Sequence, residues 1–92
     1  MQQTKVLIVD DIEVNQLLLS RILEELPARI DQASSGAKAL SLLEDNQYAV
    51  ILMDIRMPGM TGFECVSAIR KDPKIQHIPV IFVTALGHDD KF

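Results

Sequence analysis

Two kinds of apolar run alternate along the chain. Val6-Leu7-Ile8-Val9 and Tyr48-Ala49-Val50-Ile51-Leu52-Met53 are unbroken by polar residues, and each stops at an aspartate. Runs that are apolar on both faces, rich in β-branched residues and only a few residues long predict buried strands of a parallel sheet. Between them the period changes. From Glu13 to Leu26 the residues Val14, Leu17, Leu18, Leu19, Ile22, Leu23 and Leu26 recur at helical spacing, and Pro27 is expected to stop the helix. Arg29 to Ala33 alternates polar and apolar residues as a short edge strand does. Ser34 or Ser35 then caps a second helix carrying Ala37, Leu40 and Leu43, which ends at Asp45-Asn46. The Pro-Gly and second Gly in Met57-Pro58-Gly59-Met60-Thr61-Gly62 mark a loop. A third helix follows over about Phe63 to Lys71, with Phe63, Val66 and Ile69 expected on its buried face. Val80-Ile81-Phe82-Val83-Thr84, entered through Pro79, reads as the last strand, and the first turn of a fourth helix is expected beyond it.

Strands alternating with helices over short connections specify an α/β fold with a parallel sheet and right-handed crossovers. No Gly/Ser-rich linker or charge block divides the chain, so residues 1–92 are read as a single domain. Thirteen acidic residues against nine basic ones give a net charge of -4, the wrong sign for a nucleic-acid binder. The apolar runs fall well short of the roughly 20 residues that span a bilayer, and the N-terminus lacks a signal-peptide pattern. A cytoplasmic location is the expectation. Cys65 is the single cysteine, expected as small apolar filler.

In open parallel sheets, ligands bind outside the carboxyl ends of the strands. That rule gathers Asp10, Asp11, Asp54 and Thr84 on one rim, since each sits at or just past a strand's end. One aspartate there is ordinarily a turn former or helix cap. Three in a partly buried cleft repel one another unless a cation neutralises them. The available ligands are all oxygens, which favours Mg²⁺ (or Mn²⁺) over zinc. A carboxylate beside such an ion is a plausible phosphoryl acceptor, and Thr84 adds a neutral hydroxyl donor. Asn15 lies one helical turn past the acids, where it either faces the site or is an exposed first-turn residue.

Val9-Asp10-Asp11, the stretch Leu52-Met53-Asp54-Ile55-Arg56-Met57-Pro58-Gly59-Met60-Thr61-Gly62-Phe63-Glu64, and Ile78-Pro79-Val80-Ile81-Phe82-Val83-Thr84-Ala85 together resemble the receiver domain of bacterial two-component response regulators. The likeness runs from Lys5 onward, in order and at the expected spacings. It implies a flavodoxin-like, three-layer α/β/α fold with strand order 2-1-3-4-5. It further implies that Asp54 is the phosphoacceptor and that Asp10, Asp11, Asp54 and the backbone carbonyl of Arg56 hold Mg²⁺. By the same resemblance Thr84 is the switch hydroxyl, Ala85 leaves room for the phosphoryl group, and Met57, Pro58 and Gly59 shape the loop over the site. The donor would be a histidine kinase or a histidine phosphotransfer protein, and the chain itself would not be an enzyme.

The family's fifth strand, its Lys-Pro pair and its fifth helix have no counterpart here, so the expectation is a receiver truncated at its C-terminus, with impaired phosphoryl chemistry. Two rival readings remain. One is a non-signalling assembly module; the other is a phosphohydrolase with an aspartyl nucleophile, opposed by Arg56 standing where such enzymes carry a second acid. With the fifth strand missing, the Val80–Thr84 edge and the first helix are expected to be uncovered, which predicts a homodimer or larger assembly.

Overall fold

A computed structural model describes residues 4–83. Four strands, β1 (Thr4–Val9), β2 (Ala28–Ala33), β3 (Val50–Asp54) and β4 (Val80–Val83), alternate with α1 (Glu13–Leu23), α2 (Gly36–Asp45) and α3 (Gly62–Arg70). All pairings are parallel, in the order β2-β1-β3-β4. The two unbroken apolar runs are thus the central strands, and the alternating Arg29 to Ala33 segment lies at the edge.

The order fixes the layers. The step from β1 to β2 runs one way across the sheet, and the steps to β3 and β4 run the other way. Right-handed crossovers therefore place α1 on one face and α2 with α3 on the opposite face. The main core lies on the α2/α3 side, where Leu7 and Val9 of β1 and Ile51 and Met53 of β3 cluster with Ala39, Leu43, Cys65 and Ile69. Cys65 is fully buried filler whose thiol is pushed up by burial. Ile8 is completely buried on the other side of the sheet, but α1 covers that side sparingly. Val14, Leu17, Leu18 and Ile22 are exposed, Ile22 at 70%. Among the described residues β4 pairs only with β3, and its Ile81 and Phe82 are exposed as well. No helix among the described residues is long and apolar enough to cross a membrane.

Three local expectations shift. α1 ends at Leu23, three residues early, because Pro27 disfavours helical backbone at Leu26 and the chain turns through Leu26 N–H to Leu23 C=O. β3 starts at Val50; Tyr48 precedes it and is buried. α3 buries Gly62, Cys65 and Ile69, and leaves Phe63 59% exposed. Its first turn is set by a capping box between Thr61 and Glu64, which rotates Phe63 outward against the ring of Phe82, 5.0 Å between centroids. The start of a fourth helix falls outside the described residues.

Tyr48 ties the edge strand to the core. Its hydroxyl donates to Asp31 Oδ2 at 2.6 Å, and Arg29 Nε, two residues along the same strand face, donates to Asp31 Oδ1 at 3.0 Å. Burial opposes the charge on Asp31, but the Tyr48 hydroxyl and Arg29 outweigh it and hold the carboxyl below its ordinary value. Burial and the same carboxylate push the Tyr48 phenol upward. A carboxyl lowered in the folded state stabilises above its unfolded pKa, and that stability is lost as pH falls through the folded value. Asp31→Asn is therefore expected to cost about 1 kcal/mol in urea denaturation at neutral pH. The gap to the parent should hold down to about pH 4 and close below it.

Candidate functional site

β1 and β3 are neighbours in register, with Val9 opposite Met53. The next residues along, Asp10 and Asp54, consequently emerge side by side at the carboxyl end of the sheet. Asp10 is 2% and Asp54 3% exposed; Asp11, one residue on, is more open. One carboxylate oxygen from each lies within 4.8 Å of the others.

The backbone holds this cluster in place. Asp10 N–H donates to Ala33 C=O at 3.0 Å, which carries the β1–β2 ladder one residue past the strand. Its side chain accepts from Ile12 N–H at 2.9 Å, and its carbonyl accepts from Gln16 Nε2 at 2.5 Å, fastening the start of α1 to the strand end. Asp54 Oδ1 accepts from Arg56 N–H at 3.3 Å. Burial, joined by the charges of Asp54 and Asp11, raises the Asp10 pKa against the lowering effects of Ile12 N–H and Asn15.

The loop after Asp54 is fixed at both ends. Met57 is buried, whereas Pro58 and Gly59 are exposed, and Gly59 takes φ +80, a left-handed conformation suited to glycine. Gly62 N–H donates to Ile55 C=O at 2.9 Å, and a Cβ on Gly62 would stand 2.2 Å from the Asp54 carbonyl oxygen. The first turn of α3 is thus pressed directly onto the end of the strand that carries Asp54.

Like charges within 4.8 Å of one another cost about 3.5 kcal/mol or more per pair at an effective dielectric constant near 20. Asp11 Oδ1 is also buried without a hydrogen-bond partner. An all-oxygen donor set, mutual repulsion and an orphaned carboxylate oxygen fit a hard divalent cation such as Mg²⁺.

The structure therefore brings Asp10, Asp11 and Asp54 together, with Arg56 bound to Asp54 through its N–H and Met57 packed beneath the loop. Thr84 and Ala85 lie outside the described residues. Sequence reasoning missed Gln16, whose amide braces Asp10, and the close approach at Gly62. Gly62 at a loop-to-helix junction was the available signal, since only a residue without Cβ tolerates backbone at that distance.

Residues 6–92 match the response regulator receiver domain family. The chemotaxis protein CheY of Pseudomonas aeruginosa is 34% identical over 88 residues, covering 95% of this chain and 71% of CheY. The response regulator PleD of Caulobacter vibrioides is 39% identical over 88 residues, but the chain spans only 19% of its length. Among solved structures, the response regulator TrrA of Thermotoga maritima, in complex with Mg²⁺ and BeF, superposes with a TM-score of 0.75 at 32% identity, covering 89% of this chain and 68% of that one. The chain belongs to the receiver domain family of response regulators, proteins of two-component signalling.

Gly62→Ala is expected to destabilise the fold by about 2 kcal/mol, because the added methyl meets backbone instead of a movable side chain. Chemical denaturation of the two proteins measures this; equal midpoints would contradict the close packing.

Proposed function

We propose that this chain accepts a phosphoryl group on Asp54 from a phosphohistidine of a histidine kinase or histidine phosphotransfer protein. The observation that carries the reading is the Asp54 carboxylate, buried at the tip of a central strand with Asp10 and Asp11 within 4.8 Å. Asp10, Asp11, Asp54 and the Arg56 backbone carbonyl are the groups assigned to hold Mg²⁺. That ion, when bound, offsets the negative charge that otherwise repels the incoming phosphoryl group.

The remaining work falls to the chain. Arg56 N–H bonds the Asp54 carboxylate and the Gly62 contact backs the strand end that carries it, while Ile12 N–H and Gln16 hold Asp10. An Asp54 oxygen attacks phosphorus in line; the P–N bond breaks and its electron pair stays on the imidazole. Water later attacks the same phosphorus, the acyl P–O bond breaks, and Asp54 is left as carboxylate with inorganic phosphate and a released proton. Thr84 and Ala85 are assigned to the phosphoryl oxygens by the family resemblance.

Incubation with acetyl phosphate and Mg²⁺ is expected to give a hydroxylamine-labile phosphoprotein, detected by gel shift or intact mass. Asp54→Asn should remove the label altogether while the fold persists. A label that survives Asp54→Asn, or none on the parent with either acetyl phosphate or a phosphorylated histidine phosphotransfer protein, would overturn the assignment.

A homodimer is the partner arrangement that the surface favours. Val14, Leu17 and Ile22 on α1 and Ile81 on β4 are each more than half exposed, and such apolar surface is characteristic of interfaces. Light scattering at tens of micromolar is expected to give a mass above the monomer's. Leu17→Glu with Ile22→Glu should lower it if α1 supplies the contact. A monomer mass for the parent would refute self-association.

A further inference from the structure

α1 exposes more apolar surface than it buries. Val14, Leu17, Leu18 and Ile22 face outward, Leu19 and Leu23 are half-buried, and the residue it buries is an amide, Asn15, at 2% exposure. Neither Nδ2 nor Oδ1 of Asn15 has a hydrogen-bond partner. Leaving buried amide atoms unsatisfied costs about 1–3 kcal/mol, and a position of this kind inside a helix would ordinarily take leucine.

The location of the orphaned atoms accounts for the cost. Among the described residues, the buried side-chain polar atoms without a partner are Asn15 Nδ2, Asn15 Oδ1 and Asp11 Oδ1. All three stand at the carboxylate cluster, since Asp11 belongs to it and Asn15, one helical turn on, lies beside Asp10. Unsatisfied polar atoms collected at one point, and not scattered through the core, mark where a polar guest completes the set. A hydrated divalent cation has the matching chemistry. Its waters are strong donors, which a carbonyl oxygen such as Asn15 Oδ1 can accept.

We infer that Asn15 is a positioning residue for the hydrated cation, its Oδ1 accepting from a water of the ion's shell. The inference rests on the reading that Asp10, Asp11 and Asp54 hold Mg²⁺, and it adds to that reading a fixed outer contact supplied by α1. Groups one layer out from an ion commonly govern its affinity by about 10-fold or more.

Calorimetric titration of the chain with Mg²⁺ alone, together with thermal unfolding in the absence of the ion, tests it. Asn15→Leu is expected to weaken Mg²⁺ binding by about 10-fold while leaving the ion-free melting temperature unchanged or raised, because the unsatisfied amide is gone. Asn15→Asp, which keeps an acceptor oxygen, should bind the ion at least as tightly as the parent. Should leucine overfill the site and unfold the chain, Asn15→Ala carries the same expectation for affinity. Parent-like Mg²⁺ affinity in the folded Leu or Ala variant, within about twofold, would overturn the inference alone. A parent that binds no Mg²⁺ would overturn the reading of the cluster and the inference with it.

Discussion

The parallel register between β1 and β3 is the constraint from which the rest of the molecule follows. It sets Val9 opposite Met53, so the two strands end level with one another and each delivers its aspartate to the same point. Because both strands are apolar on both faces, they must be covered on both sides. That requirement places α1 on one face and α2 with α3 on the other, and the start of each helix then lies near the strand ends. Hydrophobic burial in this way drives carboxylates together against their own repulsion. The site is electrostatically strained because the sheet is well paired.

The elements that brace the site act on backbone more than on side chains. Ile12 N–H and Arg56 N–H hold the carboxylates, and the Gly62 approach holds the Asp54 backbone, all through main-chain atoms, which vary little in position when neighbouring side chains change. Gln16 is the exception, a side-chain amide that spans Asp10 and, at 3.4 Å, Ala33 C=O. It joins the first helix to both strands of the β1–β2 pair.

Much of this was legible in the residues themselves. Unbroken apolar runs ending in Asp10 and Asp54 identified the central strands and the shared rim, because full burial leaves no room for polar alternation in such strands. The faces of the helices were less legible. Phe63, Val66 and Ile69 fit a helical stripe as well as Gly62, Cys65 and Ile69 do, and hydrophobicity favours the stripe containing phenylalanine. The Thr61–Glu64 capping box decided against it by setting the rotation of the first turn. The end of α1 was missed because Leu26 continues the apolar period, although the steric reach of Pro27 acts one residue upstream. The burial of Asn15 could not be read from spacing alone, since period places a residue on a face without saying what that face meets.

Cys65 turns the core into its own reporter. Its sulfur is fully buried between α3 and the start of α2, 3.9 Å from the Gly36 carbonyl, and burial keeps the thiol protonated and poorly nucleophilic. A thiol reagent therefore reacts only with molecules in which the packing around α3 has opened. Because the first turn of α3 also buttresses the Asp54 strand, the labelling rate counts how often the support beneath the acceptor opens, with no probe added to the chain.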